Sequence, residues 1–414
     1  MARKHTSLIY RAHAYMLLFS LRFTEVYWVV YLREKGLSYA AIGLLETVFH
    51  VASFSFEIPT GIIADRLGRK VSLAVGRALA ALSAAMILYS RDWPLIAASF
   101  AVNAISYTCH SGAFDALVYD SLPEAERPAF TRLIGRLNST YLAGTAIAGG
   151  IAALVARFSL DWLYRAVIVV DILAAFVALA LPEAKPVETV RRKPEEADAD
   201  DPDKEECSRS DLRTLIASLR QPELRNLLLL WGISGALGTT VIFYGQSLLK
   251  EALVPISLVG LVGTAGNLLA IIPASSAHLV QRRFGQILPL VVGSFAVPVL
   301  VAGIGSVPGS AGALSRIILA ALCLCLPVLQ ETLYPLFSDA VNCRTGSLNR
   351  AAVLSAGGMM FSIAMMITFP LVGYLGDRLG LRWGVIAGAS ITALLIAPVA
   401  FSLPSRVVKK NEAV

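Results

Sequence analysis

Apolar residues fall along this chain in long blocks rather than in alternation. The blocks lie near residues 9–32, 40–63, 71–90, 93–118, 131–156 and 162–181, and then near 224–248, 256–279, 287–305, 313–337, 351–374 and 382–403. About 20 apolar residues cross a bilayer core as a helix, so each block predicts one span, and short loops make neighbouring spans antiparallel. The expected fold class is an all-α membrane protein of about twelve transmembrane helices in two six-helix bundles. The bundles cover 1–181 and 223–414, with a linker over 182–222. Most of that linker is polar, with an acidic run from Glu195 to Asp203 that holds too little apolar surface to order itself. Its end differs: Ser210 can cap a helix and Leu212, Leu215 and Leu219 share a face, which predicts a short helix on the membrane surface.

Composition agrees with a polytopic protein, since 56% of the 414 residues are hydrophobic and 16% are charged, against about 25% charged in soluble domains. The net charge of +7 would point to nucleic acid in a soluble chain. Here Lys and Arg fall mostly in alternate loops, at Arg3-Lys4, Arg66/Arg69/Lys70, Arg127/Arg132/Arg136, Arg191-Arg192-Lys193, Arg282-Arg283, Arg344/Arg350 and Lys409-Lys410. Basic loops stay on the cytoplasmic side, so topology explains the charge, no nucleic-acid partner is implied, and both termini are expected to be cytoplasmic. Met1–Ser7 is short and basic, and the run after it has no cleavage pattern, so the first block is read as a span rather than a leader. The five cysteines imply no oxidising compartment, and Cys323-Leu324-Cys325 has no partner at zinc-site spacing. No metal or cofactor is expected.

Between the second and third blocks stands Gly61-Ile-Ile-Ala-Asp65-Arg66-Leu67-Gly68-Arg69-Lys70, read as a cytoplasmic loop. Gly61 would let two backbones approach, Asp65 could accept from free N–H groups at a neighbouring helix end, and the three cations suit that side. The spacing G-x-x-x-D-R-x-G-R-K resembles the loop 2–3 signature of the major facilitator superfamily, at the place where that family carries it. The resemblance implies two six-helix repeats with a solute site near the midplane between them. It also implies that Asp120, ending the fourth segment, pairs with Arg69, and that Gly61, Asp65, Arg66, Gly68, Arg69, Lys70 and Asp120 act together as a conformational latch, with Asp65 capping the eleventh segment near Ser347–Arg350. A weak internal repeat supports the halves: Tyr119-Asp120 matches Ser338-Asp339, and Arg132 matches Arg350. The corresponding second loop, Ala277–Gln286, keeps a glycine and cations but no aspartate. A closer textual match, Gly376-Asp377-Arg378-Leu379-Gly380, falls on the opposite face and is read as a turn.

A charge at the bilayer centre costs about 2.5–3.5 kcal/mol, so intramembrane ionisable groups need partners or a wet cavity. Arg11, Arg22 and Glu25 fall on one stripe of a continuous first helix, Glu46 and His50 are i,i+4 neighbours with Glu57 further along, and Asn103, Tyr107 and His110 share a face of the fourth, with Asp115 beyond. In the superfamily, segments 1, 4, 7 and 10 surround the cavity. The resemblance therefore directs attention to Arg22, Glu25, His110, Asp115, Tyr244, Gln246, Gln330 and Glu331. With the polar helix faces and Trp231 added, the candidates for substrate are Arg22, His50, Asn103, Tyr107, His110, Trp231, Tyr244, Gln246 and Gln330, and those for proton coupling are Glu25, Asp115, Glu46 and Glu331. Arg77 and Asp171 are assigned to packing. Glu57-Ile58-Pro59-Thr60-Gly61 and Tyr119-Asp120 resemble a bacterial branch of efflux and uncharacterised permeases. The antiporter pattern of the fifth segment is incomplete, since Gly135, Gly144, Ala148, Gly149 and Gly150 lack its proline.

No P-loop, H-E-x-x-H or G-x-S-x-G is present, so neither an enzyme nor an ATP-driven pump is expected. The expectation is a secondary transporter of the bacterial cytoplasmic membrane, monomeric, exporting a small organic solute by alternating access against inward proton flow. The alternatives are a proton symporter or uniporter that imports, and a non-transporting receptor or scaffold on the same fold.

Overall fold

A computed structural model describes residues 2–122, 127, 130–182, 220–309, 312–345 and 350–403. Most of the linker lies outside these residues, its expected surface helix included. Among the described residues there are fourteen helices: α1 (Ala2–Ser20), α2 (Trp28–Glu34), α3 (Tyr39–Leu67), α4 (Arg69–Tyr89), α5 (Trp93–His110), α6 (Ala113–Ser121), α7 (Phe130–Val155), α8 (Asp161–Leu179), α9 (Pro222–Glu251), α10 (Ile256–Phe284), α11 (Ile287–Ser306), α12 (Ala313–Asn342), α13 (Arg350–Leu379) and α14 (Leu381–Phe401). Ten are long and apolar enough to cross a membrane. The other four are the pairs α1/α2 and α5/α6, which fall where the first and fourth spans are expected.

Both pairs correct the expectation of continuous helices. Between α1 and α2 the backbone turns tightly, with Arg22 N–H donating to Ser20 O at 2.8 Å and Tyr27 N–H to Thr24 O at 2.9 Å. Ser20 Oγ returns to Leu17 O at 2.6 Å. These bonds satisfy backbone groups that a bilayer could not. Because residues 21–27 are not helical, the stripe joining Arg11 to Arg22 and Glu25 does not form, and Arg11 instead donates to Ala180 O. The second break is at Ser111-Gly112, where Gly112 has φ +70°.

The chain divides into two compact units, one taking in residues up to Leu37, from Leu44 to the end of α8, and Val254–Thr264, the other Ser38–Gly43, α9 to Leu253, and Ala265 onward. In the first, Leu8, Ala12, Tyr15, Leu73, Phe114, Leu117, Leu137 and Ala178 form a core from α1, α4, α6, α7 and α8. In the second, Leu224, Leu228, Val341, Val353 and Ala356 join α9, α12 and α13, with Trp231 against them.

The signature is not a loop. Helix α3 runs through Asp65 and Arg66 to Leu67, leaving Gly68 alone before α4. Gly68 has φ 98° and ψ 142°, a region that essentially only glycine enters. Gly61, in contrast, makes no close approach: a Cβ there would meet no atom within 4 Å among the described residues. Gly68→Ala should therefore lose about 1–3 kcal/mol, read as a lower melting temperature of the detergent-purified protein, while Gly61→Ala should stay within about 0.5 kcal/mol of the parent. Equal melting of the two variants would contradict this account of the corner.

Candidate functional site

In the first unit, polar groups in the spans are mostly spent on one another. Arg77 of α4 donates to Asp171 of α8 at 3.0 Å and to Ser106 Oγ of α5 at 3.2 Å, and both side chains of the ion pair are under a tenth exposed. The Arg77 guanidinium also lies 4.7 Å from the centre of the Phe19 ring. Phe19 stacks on His110 at 3.9 Å, and His110 Nδ1 shares a 3.0 Å hydrogen bond with the Tyr15 hydroxyl. Tyr15 stacks in turn on Phe114. This column ties α1, α4, α5, α6 and α8 together, so His110 is a packing element whose ring is already engaged. Sequence reasoning had Arg77 and Asp171 as structural but missed Tyr15 and Phe19 of α1.

The break itself exposes Arg22 and Glu25, 3.9 Å apart with side chains 42% exposed. Glu46 and His50 of α3 lie 3.7 Å apart and nearly buried. Phe49 beside them meets His50 edge-on and lies 6.3 Å from half-exposed Tyr107. Asn103 lies a turn away on α5, half-buried. Glu57 Oε1 accepts from Ser111 Oγ at 3.2 Å, holding the α5/α6 break, and Asp115 sits exposed in the first turn of α6, where a carboxylate is favoured.

At the signature, Arg69 is ion-paired with Asp120, the partner that the resemblance implied. Asp65 and Arg66 are exposed. The expected partner region of Asp65, from Ser347 to Asn349, lies outside the described residues. The equivalent corner of the second unit keeps the geometry in a different chemistry. Gly285 takes φ +76°, and Asp339 accepts from Gln286 Nε2 at 3.1 Å and Gln281 Nε2 at 2.6 Å. A neutral amide stands where the first unit has a guanidinium.

The second unit also contains a cavity of about 280 Å³ walled by Trp231, Tyr334, Phe337, Phe361, Gln330 and Glu331, with small residues of α9 and α13. Trp231 stacks on Phe337 at 5.9 Å, nearly parallel, and meets Tyr334 edge-on at 5.7 Å. Gln330 is fixed by a 2.8 Å bond from Nε2 to Gly235 O. Among the described residues Glu331 is the sole carboxylate or cation on the lining, and its side chain is exposed. Two expected members are absent from it. Tyr244 is fully buried, its hydroxyl 3.0 Å from Tyr39 O and 3.2 Å from Phe369 O, and Gln246 is buried in the same helix. Both follow the turns of α9 that face other helices. Tyr334, Phe337 and Phe361 were missed; Tyr334 follows Glu331 and Gln330 at helical spacing, a signal the residue numbers carried.

Broken helices, intramembrane charges and an aromatic cavity define a multi-pass membrane transporter. The sequence profile described as Major Facilitator Superfamily matches residues 14–367, and the chain belongs to that family of secondary transporters, which are not enzymes. It is 31% identical over 88 residues to the uncharacterized MFS-type transporter YxaM of Bacillus subtilis, covering 21% of this chain and 22% of that one. It is 25% identical over 124 residues to the quinolone resistance protein NorA of Staphylococcus aureus, covering 30% and 32%. The matched stretches thus span only about a fifth to a third of those curated relatives. Among solved structures, the nucleoside transporter NupG superposes with a TM-score of 0.78 over 98% of this chain and 100% of its own, at 14% identity. That likeness is one of fold. A place in the lipid bilayer of a cell membrane follows from the family and from the ten long apolar helices.

Removing one partner of a buried ion pair strands the other, at a cost of about 3–5 kcal/mol. Arg77→Met should therefore lower the melting temperature sharply, and the double variant Arg77→Met/Asp171→Leu should recover part of the loss. A single variant that melts like the parent would show that the column does not depend on the pair.

Proposed function

We propose that this chain is a monomeric, proton-coupled exporter of amphipathic organic cations in a bacterial cytoplasmic membrane, with both termini cytoplasmic. The observation that carries the reading is the cavity of the second unit, where aromatic faces surround the lone carboxylate of Glu331. Aromatic rings attract a desolvated cation by about 2 kcal/mol, and hydrogen bonds to a charged group add about 1.5–3 kcal/mol. A flat amine fits both. The partial likeness to a quinolone resistance protein supports a drug-like solute and the outward direction. The basic loops support the orientation. Glu25, set in non-helical backbone beside Arg22, is the proton-coupling carboxylate in this scheme, because unwound segments of transporter helices line coupling sites.

Two substitutions test the scheme in proteoliposomes with an imposed pH gradient. Glu331→Gln should raise the half-saturating concentration of a cationic aromatic amine about ten-fold or more, the equivalent of 1.4 kcal/mol, and leave a neutral aromatic solute unaffected. Glu25→Gln should abolish uphill flux driven by the gradient while downhill exchange continues. Equal effects of Glu331→Gln on charged and neutral solutes would remove the cation reading. Full pH-driven transport by the Glu25 variant would make that residue a partner of Arg22 only, with Asp115→Asn the next substitution.

A further inference from the structure

The match at Gly376–Gly380 extends further than a turn. Read from Gly373, the sequence Gly373-Tyr-Leu-Gly-Asp377-Arg378-Leu379-Gly380 repeats the spacing of Gly61-Ile-Ile-Ala-Asp65-Arg66-Leu67-Gly68 position for position. The backbones agree as well. Gly380 has φ 89° and ψ 143°, against 98° and 142° at Gly68, and each glycine is the sole residue between one long helix and the next. The aspartate of this copy has a defined partner. Asp377 Oδ1 accepts from Tyr39 N–H at 2.9 Å and Oδ2 from Ala40 N–H at 2.8 Å. These are the first two amides of α3, and the third, Ala41, is taken by Ser38 Oγ at 3.1 Å. A carboxylate bridging two free helix-end amides is a charge-assisted cap at the positive end of the helix dipole.

The same turn of α3 is held at other points, all within the second unit. The Tyr39 hydroxyl donates to Glu251 Oε1 at 2.7 Å, and the Tyr244 hydroxyl bonds Tyr39 O at 3.0 Å. Gly43 lies so close to α13 that a Cβ would overlap the Pro370 backbone, and one at Gly373 would overlap the Tyr39 carbonyl. The rest of α3, from Leu44, is counted with the first unit. One continuous helix is thus shared: its N-terminal turn is bound by α9 and α13, and about 44 Å away, for 29 residues at 1.5 Å each, its other end carries the signature.

We propose that Asp377 and the first turn of α3 form a releasable clamp on the membrane face opposite the Gly61–Lys70 signature, and that the clamp must open for the transporter to open on that face. This rests on the alternating-access reading above. When the two units reorient, α3 cannot follow both, and the covalently unconstrained place to part is the capped turn at 39–43. Asp377 is exposed, so water can replace its bonds and the clamp can release on the time scale of transport.

The test uses the full-length protein with its native cysteines replaced and spin labels at Phe158→Cys and Leu314→Cys, exposed positions next to the ends of α7 and α12 on the Asp377 face. Distance distributions between the labels report opening of that face. Asp377→Ala, and more weakly the isosteric Asp377→Asn, should raise the long-distance population about two- to thirty-fold, as expected for losing a charge at a helix end, with exposure favouring the low end. Tyr244→Phe, which leaves the cap but removes the bond to Tyr39 O, should shift in the same direction. Asp65→Asn should shift the opposite way. Variants are compared only if monodisperse and within a few degrees of the parent melting temperature, and Asp377→Asn serves if Asp377→Ala does not meet that standard. An unchanged distribution in the Asp377 variants overturns the clamp. If Asp65→Asn still shifts it, alternating access stands and only the clamp fails; if no variant shifts it and flux is also absent, the transporter reading fails with it.

Discussion

A bilayer core holds no water to satisfy a backbone amide or a side-chain charge, and this constraint decides which irregularities the chain can keep. The α1/α2 break survives because its turns bond internally and Ser20 takes the Leu17 carbonyl. Arg77 survives because Asp171, Ser106 and the Phe19 face surround it. Phe19, in the last turn of α1 just before the break, gives its face to that guanidinium and to His110. What looks in sequence like a scatter of awkward residues is one column through five helices.

The corners follow a different logic. A glycine in a region closed to other residues lets a long helix end and the next begin with a single residue between them, as at Gly68 and Gly380. The side chain three positions earlier is then carried to the end of the helix, where it can reach a partner outside the hairpin. In one copy the corner is braced by Arg69 on Asp120, and at Gly285 by Gln286 on Asp339. Replacing a guanidinium by an amide keeps the hydrogen bond and discards the charge. The repeat has drifted in chemistry more than in shape.

Most of the fold was legible because the span pattern depends only on apolar run length. The ends of α4, α9, α11 and α14 fall within a few residues of the expected ones. The first break was not legible: Leu21-Arg22-Phe23-Thr24-Glu25-Val26-Tyr27 contains neither glycine nor proline, and its bonds are tertiary or turn-like. The second had a sign in Gly112. Tyr244 and Gln246 were misplaced for another reason. Periodicity shows which residues share a helix face, not what the face meets, and α9 is covered by neighbours along most of its length. Asp377 was passed over because the match was read from Gly376, which hides the full spacing from Gly373.

Glu331 differs from the ion pairs of either unit. In the first, Arg77 with Asp171, Arg69 with Asp120 and Arg22 with Glu25 are ion pairs, and in the second Arg344 lies 3.6 Å from Glu223. A paired ion has its field largely cancelled at the distance of a solute, and recruiting it requires breaking the pair first. Glu331 has no such ion-pair partner among the described residues and stands exposed beside aromatic walls, so no neighbouring charge cancels its field. On the proposed reading, a ligand cation there would face one carboxylate that no fixed cation already holds. In the proposed scheme the solute cation is held at Glu331 and the proton at Glu25, so their exchange has to be coupled by a change of conformation rather than by competition for one carboxylate.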